Sequence, residues 1–206
     1  YLKKFNIGKN FFLIYSPERD DPGSNYDGKK IPKLVSGYTK ECLFIGEKIY
    51  KSIVNKPIKV SSLKVAEMSK LYENIFRSIN ISLVNETKII LKKLKIDISE
   101  VINAAKTKPF GFMPFYPGPG YGGHCIPVDP YYFIWLAKKF KINSKFIELS
   151  GKINNSIPEW ICKQIKIELK KKSQKIKKSK ILILGIAYKK NINDDRESPA
   201  YKLIEI

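Results

Sequence analysis

Residues 61–94 repeat hydrophobic and polar positions with the period of an α-helix and contain neither glycine nor proline. This pattern predicts one long helix with Ser61 or Ser62 as its N-cap. One side of the helix is an apolar stripe, made of Met68, Tyr72, Ile75, Ile79 and Leu83. Another side is a polar stripe of the kind that usually faces solvent, made of Glu67, Lys70, Asn74 and Arg77.

Shorter apolar runs before this helix predict two strands and a further helix. Residues 11–15 are typical of a buried parallel strand, and residues 31–35 of another short strand. Helical spacing over residues 39–53 predicts a helix with Thr39 as its N-cap. These elements indicate the last pieces of a doubly wound α/β domain.

Three more helices are predicted after the long one, over residues 98–105, 130–140 and 144–172. Pro158 predicts a bend or a break in the last of them near Ile157, with Ser156 as the cap of the renewed helix. Cys162 is expected to be a buried, inert thiol.

The end of the chain predicts the start of a second α/β unit. Residues 180–188 have the composition of a strand. A final helix is predicted after it, with Ser198 as N-cap and Pro199 at the first position. The sequence stops at residue 206, and the part of this unit that it contains is too short to close a sheet.

A dinucleotide phosphate turn, G-x-G-x-x-G between a strand and a helix, does not occur in residues 1–54. The formal match at Gly118, Gly120 and Gly123 follows no predicted strand, so we attribute it to chance. The domain that binds a dinucleotide is therefore expected to precede this chain.

Composition narrows the function classes. Hydrophobic residues make up 43% of the 206 residues, enough for a packed core. The net charge of +20 attracts phosphates, but the densest lysine run, residues 163–180, has no aromatic residues for base stacking. We interpret the lysines as solvated surface and do not expect nucleic-acid binding.

The cysteine and histidine content argues against a disulfide framework and against a metal site. The three cysteines are far apart, and the chain has one histidine. No run of about 18 apolar residues is present, and no apolar signal segment follows Tyr1. A cytoplasmic protein without a membrane span is therefore expected.

Residues 107–132 combine prolines, glycines and aromatic residues around Cys125. Glycines without a Cβ atom let backbone amides approach a ligand, and prolines stiffen the segment. A helix predicted to begin at Pro130 would favour the thiolate form of Cys125. Asp129 follows this thiol by four residues, and Glu18 follows the predicted strand 11–15, where open α/β sheets bind ligands. Glu18 has an alternative interpretation as a solvated loop acid.

Three strings carry a resemblance to a known family. GPGYGGHCIPVDPYY, residues 118–132, resembles the active-site loop of the nucleotide-sugar 6-dehydrogenases, the UDP-glucose/GDP-mannose dehydrogenase family. Residues 66–86 resemble the central helix of that family, and residues 185–198 the start of its third, UDP-binding domain. The longer string 107–125 is most similar to the branch that oxidises UDP-N-acetylglucosamine, with UDP-N-acetylmannosamine dehydrogenases as close relatives.

The resemblance implies an α/β fragment in three parts. Residues 1–58 would be the end of an NAD-binding Rossmann domain, and residues 59–176 an all-α central domain with the catalytic loop. Residues 177–206 would begin a Rossmann-like UDP-binding domain. It also implies a homodimer, which the central helix forms through its apolar stripe.

The implied reaction is an NAD-dependent, two-step oxidation of UDP-N-acetylglucosamine to UDP-N-acetylglucosaminuronate. Cys125 would capture the intermediate aldehyde as a thiohemiacetal, which becomes a thioester and is hydrolysed. The alternatives are UDP-N-acetylmannosamine as substrate and an inactive dimerisation fragment of such an enzyme.

The resemblance also assigns roles to single residues. Cys125 is the nucleophile, Lys70 stabilises the oxyanion, and Asn74 orients water or that oxygen. Asp129 is a proton acceptor or a plain helix N-cap, and Glu18 holds the sugar or orders water. The expected substrate contacts are Gly120, Gly122, Gly123, Tyr188 and Lys189, and the expected cofactor contact is Arg196. His124 is as readily explained by loop packing and stays outside the catalytic set.

This chain departs from the UDP-glucose branch at two places. Pro22 stands where that branch has a second acid, and Lys108 and Pro109 occupy the region of its partner-subunit arginine. These differences leave the choice of sugar open.

Overall fold

The computed structural model describes residues 4–206, which belong to two compact units. The first unit ends at Glu73, and the second is Asn74–Ile206. The long predicted helix contains this boundary. The division into residues 1–58, 59–176 and 177–206 therefore stays a prediction. No helix within residues 4–206 is long and apolar enough to cross a lipid bilayer.

The first unit is built on a three-stranded sheet of order β1-β2-β3. Its strands are β1 (Ile14–Tyr15), β2 (Lys33–Gly37) and β3 (Pro57–Lys59). β1 pairs with β2 in the antiparallel sense, and β3 pairs with β2 in the parallel sense. Helix α1 (Lys40–Lys51) packs on this sheet over a small core that includes Val35 and Cys42.

Two of the predictions for this unit are confirmed and one is wrong. Thr39 caps α1 by accepting a hydrogen bond from the Cys42 N–H. The strand predicted at residues 31–35 is β2, which begins and ends two residues later than predicted. The run 11–15 is not a buried parallel strand. Only its last two residues pair with β2, and they do so antiparallel, while Phe11 forms an isolated bridge with Ile7. Phe12 and Leu13 are exposed because this edge strand is not covered on both faces.

Helix α2 (Leu63–Leu94) is the predicted long helix, and Ser62 caps it by accepting from the Val65 N–H. The predicted stripes describe its burial only in part. Tyr72 and Leu83 of the apolar stripe are exposed, whereas Asn74 of the polar stripe is only 4% exposed. The buried polar side of α2 continues beyond Asn74, and we call the following residues the buried polar stripe: Asn74, Ser78, Ser82 and Asn85.

The second unit contains the rest of the helices, which are α3 (Ile98–Ala105), α4 (Asp129–Lys139), α5 (Lys145–Lys171) and α6 (Pro199–Glu205). Their positions agree with the prediction to within one residue at each predicted boundary. Val84 of α2 packs with Ile98 and Ile102 of α3 in an apolar cluster. Both α4 and α6 contact α5. A short 3-10 turn lies at Ile176–Lys178, and the first unit has one at Gly28–Lys30.

Helix α5 continues through Pro158, so the predicted alternative of a break is wrong, while a bend near Ile157 stays a prediction. Ser156 does not cap a renewed helix, since its hydroxyl donates to the Ile153 carbonyl within the continuous one. Proline removes one backbone hydrogen bond there, but Ile157 and Pro158 are buried, and this packing offsets the loss. Cys162 is half-buried rather than buried.

The predicted strand at residues 180–188 is absent. This segment is irregular, and Leu182 and Leu184 are 82% and 86% exposed. A strand needs a neighbour to accept and donate its backbone hydrogen bonds, and the second unit contains no strand within the described residues. The final helix does begin as predicted, because Ser198 accepts from the Ala200 N–H.

The Thr39 cap generates a stability prediction. Thr39→Ala removes the acceptor for the Cys42 N–H and should lower the free energy of unfolding by about 1 kcal/mol. Thr39→Ser keeps the hydroxyl and should stay close to the wild type. Urea denaturation of the three proteins tests this, and equal midpoints for all three would contradict it.

Candidate active site

Cys125 lies in the irregular segment that leads into α4, and its side chain is exposed. We call residues 118–128 the Cys125 loop. The Cys125 carbonyl accepts hydrogen bonds from the N–H groups of Val128 at 3.1 Å and Asp129 at 2.8 Å. The thiol is therefore presented immediately before the first turn of α4, and the prediction that a helix begins beside it is confirmed.

Asp129 is the first residue of α4, and its side chain does not cap the helix. Val128 holds the N-cap position, with no side-chain capping bond. The Asp129 carboxylate instead accepts a hydrogen bond from Asn74, with Nδ2 and Oδ2 2.5 Å apart. Because Asn74 is buried in α2, it holds this carboxylate in one orientation. The alternative of a plain N-cap is excluded for Asp129.

Three of the predicted substrate contacts pack against one another. A Cβ atom on Gly122 would lie 2.6 Å from the Cβ of Tyr188, and one on Gly123 would lie 2.8 Å from the Tyr188 ring. Gly123 also has a φ of +86° and donates its N–H to the Arg196 carbonyl at 3.0 Å. The two glycines are thus required by the turn and by the Tyr188 contact. Gly120 lies against α5, and a Cβ atom at this position would be 3.4 Å from the Asn154 carbonyl oxygen.

A cavity of about 390 Å³ adjoins the loop on the α5–α6 side. Its lining includes Gly120, Tyr121, Asn154, Ser198 and Lys202. The volume is within the range of small-molecule sites. Cys125 does not line this cavity.

Tyr121 was not singled out by sequence reasoning. Burial raises the pKa of its hydroxyl to about 12, with a further contribution from Tyr131. Tyr121 therefore keeps its proton at physiological pH and serves as a neutral hydrogen-bonding group beside the cavity. Its position directly before two glycines was the available signal in the sequence.

Arg196 is bound to Asp194 through two hydrogen bonds, of 2.9 Å from Nε and 2.7 Å from Nη2. These bonds hold the pKa of Asp194 down at about 2 and raise the pKa of Arg196. Smaller electrostatic contributions to the raised pKa of Arg196 come from Tyr188 and Cys125. The guanidinium group is thus within electrostatic reach of the thiol, while its cofactor role stays a prediction. Lys189 is half-buried in the same segment.

Glu18 and Lys70 belong to the first unit. The Glu18 carboxylate accepts hydrogen bonds from Lys33 and from the N–H groups of Arg19 and Asp20. The pKa of Glu18 is lowered, mainly by the Lys33 hydrogen bond, against a smaller opposite effect of burial. Glu18 is therefore an ionised acceptor at neutral pH. Lys70 is half-buried on α2, and the roles of both residues stay predictions.

Arg19 is a second residue that sequence reasoning missed. Its Nε donates to Glu73 of α2 at 3.0 Å, and its Nη1 donates to the Pro32 carbonyl at 3.0 Å. These bonds tie the loop that carries Glu18 to α2 within the first unit. No local pattern reveals such a pair, because its members are separated by 54 positions in the sequence.

The glycine-rich match in the Cys125 loop does not form a dinucleotide phosphate turn. The glycines at 118, 120 and 123 lie in an irregular segment that no strand precedes, so their match to the fingerprint is a coincidence of spacing. We therefore assign no NAD phosphate site to these glycines. Residues 4–206 contain no group of three acidic, histidine or cysteine side chains that could share a metal ion.

Comparison with known proteins defines the class to which this site belongs. Residues 64–156 match the central domain of the UDP-glucose/GDP-mannose dehydrogenase family. This segment belongs to that family's central domain, and the resemblance found in its loop and central helix is confirmed.

Individual relatives cover nearly all of the chain. Protein CapL of Staphylococcus aureus is 40% identical over 99% of this chain and 49% of its own length. The UDP-N-acetyl-D-glucosamine 6-dehydrogenase of Pseudomonas aeruginosa is 35% identical over 98% of this chain and 49% of its own length. The solved structure of the UDP-D-ManNAc dehydrogenase of Pyrococcus horikoshii matches 99% of this chain and 48% of that chain, with 30% identity and a TM-score of 0.87. The chain thus spans about half the length of the curated relatives it matches.

The contact between Gly123 and Tyr188 predicts an unequal response to two alanine substitutions. Gly123→Ala places a methyl group against the Tyr188 ring, whereas Gly111→Ala meets only the end of the Lys108 side chain, at 3.9 Å. Both glycines have a positive φ, so the backbone cost is similar. We expect Gly123→Ala to lower the free energy of unfolding by about 1–3 kcal/mol more than Gly111→Ala. Denaturant titration measures the difference, and equal losses would mean that Tyr188 does not fill the space above Gly123.

The raised pKa of Tyr121 predicts that its hydroxyl does not ionise at a pH at which ordinary tyrosines form phenolates. At about pH 11 an ordinary tyrosine is mostly ionised, whereas Tyr121 should remain mostly protonated. The phenolate absorbance of the wild type minus that of Tyr121→Phe should therefore be small in the folded protein and appear after unfolding in urea. Because the folded pKa is raised, the associated stabilisation is present below pH 10 and is lost as the pH rises towards 12. A difference spectrum with its midpoint near pH 10 in the folded protein would contradict the burial of Tyr121.

Proposed function

We propose that this chain is part of an NAD-dependent nucleotide-sugar 6-dehydrogenase that oxidises UDP-N-acetylglucosamine to UDP-N-acetylglucosaminuronate in the cytoplasm. The observation that carries the proposal is the arrangement of Asn74, Asp129 and Cys125. The buried Asn74 amide donates to the Asp129 carboxylate, with 2.5 Å between Nδ2 and Oδ2. The backbone N–H of Asp129 in turn donates to the Cys125 carbonyl. The similarity to the UDP-N-acetyl-D-glucosamine 6-dehydrogenase of Pseudomonas aeruginosa supports this choice of substrate.

Oxidation of a primary alcohol to an acid in one site requires that the intermediate aldehyde does not escape. NAD, when bound, supplies the hydride acceptor for both oxidations. Cys125 captures the aldehyde, because its sulfur adds to the carbonyl carbon and forms a thiohemiacetal. The exposed position of Cys125 supports this role, since a sugar carbon must reach the sulfur atom.

Hydrolysis of the later thioester requires a positioned base. Asp129 accepts the proton of the attacking water, while Asn74 keeps the carboxylate from rotating away. The thiolate of Cys125 then leaves, and the carboxylic acid is released. Lys70 stabilises the oxyanion of both tetrahedral species, and Glu18, ionised by its bond to Lys33, orders the sugar or the water.

Binding of the sugar nucleotide is assigned to Gly120, Gly122, Gly123, Tyr188 and Lys189. The packing of Tyr188 on Gly122 and Gly123 supports one shared surface from these residues. Arg196 is assigned to the cofactor side of the site. Its pairing with Asp194 uses only two of its five N–H donors, through Nε and Nη2, so the other donors are available to a phosphate or nicotinamide ligand.

UDP-N-acetylmannosamine is the second candidate substrate, because the Pyrococcus structure at a TM-score of 0.87 is named for it. The two sugars are epimers at one ring carbon. Pro22, Lys108 and Pro109 occupy the positions at which this chain departs from UDP-glucose enzymes, so analogy with those enzymes does not choose between the sugars.

The protein that contains this chain is proposed to be a homodimer. The supporting observation is the exposed apolar side of α2, where Leu83, Ile90 and Leu94 are 59%, 55% and 61% exposed. Residues 1–58 and 177–206 are proposed to be parts of the NAD-binding and UDP-binding domains. If those domains are required in full, the 206-residue chain alone is an inactive dimerisation fragment.

The experiment compares NADH formation from the two UDP-N-acetylhexosamines by the full-length polypeptide that contains this chain. We expect two NADH per sugar oxidised, no acid from Cys125→Ser, and normal turnover from Cys162→Ser as the matched thiol control. Asp129→Asn should slow thioester hydrolysis by about 10²–10⁴ and leave an acyl group on Cys125 that mass spectrometry detects.

Three outcomes would overturn parts of the proposal. Undiminished acid formation by Cys125→Ser removes Cys125 from its role. Failure with both sugars removes the substrate class. NADH formation by the 206-residue chain alone would mean that the NAD site lies within it.

A further inference from the structure

The buried polar stripe of α2 is unusual for a helix interface. Its four residues are at most 4% exposed, and the spacing of four, four and three places them on one side of the helix. Apolar residues would satisfy a simple packing requirement at such positions, whereas buried amides and hydroxyls require exact partners. Three of the four side chains, those of Asn74, Ser82 and Asn85, have such partners, so these three do more than exclude water.

The partners of the stripe lie mainly on α5. Asn154 of α5 is 2% exposed and donates to the Ser82 hydroxyl at 2.5 Å and to the Ser78 carbonyl at 3.2 Å. Asn85 donates to Asn154 Oδ1 at 3.3 Å, and the Ser82 hydroxyl shares its one proton between the Ser150 carbonyl at 2.9 Å and the Ser78 carbonyl at 2.8 Å. Each carboxamide can bond in only one orientation in this network.

One acceptor of this network, the Asn85 side-chain oxygen, binds the Cys125 loop. The Asn85 Oδ1 atom accepts the N–H of Gly118 at 3.0 Å, and Asn85 is only 1% exposed. This bond fixes the first residue of the loop to α2. At the other end of the loop, Asp129 is fixed to Asn74 of the same helix.

The two fixed points match in sequence separation. Asn85 follows Asn74 by eleven residues, and Asp129 follows Gly118 by eleven residues. Eleven residues are close to three helical turns, so both asparagines are on one face of α2, roughly 16 Å apart along its axis. The Cys125 loop is therefore attached to that face at both of its ends.

We propose that Asn85 and Asn154 are positioning residues for Cys125. Asn85 holds the start of the Cys125 loop, and Asn154 holds the Asn85 carboxamide so that its oxygen faces Gly118. The functional meaning of this positioning rests on the proposed role of Cys125 as a nucleophile. The alternative is that these bonds only join α2 to α5, in which case any break in the network has the same effect on the loop.

The test measures amide hydrogen exchange in residues 112–125 and the rate of Cys125 alkylation by iodoacetamide in the purified full-length protein. Asn85→Ala removes the acceptor for Gly118. Its matched control is Ser82→Ala, which breaks the network at Asn154 and Ser150 and leaves the Gly118 acceptor in place. We expect exchange in this segment to rise about five- to tenfold in Asn85→Ala and to stay near the wild-type rate in Ser82→Ala.

A second pair of variants changes the loop and leaves the helices intact, in case Asn85→Ala does not fold. Gly118→Pro removes the donated N–H, whereas Gly118→Ala keeps it, and a Cβ atom at this position meets only the Gly120 carbonyl at 3.8 Å. We expect faster exchange and altered Cys125 alkylation in Gly118→Pro alone. In the active enzyme the same variant should lower kcat about tenfold and change KM less, because sugar binding persists while the sulfur is displaced.

The outcomes separate the two proposals. An equal rise of exchange in Ser82→Ala and Asn85→Ala, or no rise in either Asn85→Ala or Gly118→Pro, overturns the positioning role whatever the activity. A wild-type enzyme that is inactive with both UDP-N-acetylhexosamines overturns the proposed function, and the exchange data still decide whether Asn85 holds the loop.

Discussion

The hydrogen bond between Asn74 and Asp129 is the constraint on which the candidate site depends. It joins a buried amide of the long helix to an acid at the start of α4, at 2.5 Å. An acid at the first position of a helix would otherwise turn towards the free N–H groups of its own first turn. Because Asn74 holds it instead, the carboxylate belongs to the surface that presents Cys125. Helix α2 thus acts as the frame of the site and as the core of the second unit.

The end of the chain closes the other side of the same loop. Gly122 and Gly123 have no space for side chains because Tyr188 fills it, and the Arg196 carbonyl accepts the Gly123 N–H. These contacts form although the preceding segment, residues 180–188, has not become a strand. Contacts to a loop need only one surface, whereas a strand needs a neighbouring strand along its whole length.

The helices and their caps could be predicted from sequence because both depend on residues close together in the chain. Thr39, Ser62 and Ser198 each bond to an N–H within three residues. Strand direction and pairing depend on distant partners, and those predictions failed at residues 11–15 and 180–188. The residues of the candidate site were predicted through motif resemblance. Their partners were not, since the Asn85 contact to Gly118 joins positions 33 residues apart.

The sequence analysis missed the buried polar stripe of α2 because it applied a rule that holds for most helices. Polar residues on a helix usually face solvent, and Asn74 was assigned there by its spacing with Lys70 and Arg77. A buried amide instead contributes direction, because a hydrogen bond weakens steeply when the donor or acceptor rotates, whereas an apolar contact tolerates sliding. The proposed reaction, which holds an aldehyde at one sulfur atom, would need that directionality. The polar interface of α2 is therefore best explained by the proposed positioning of the Cys125 loop and not as a defect of the core.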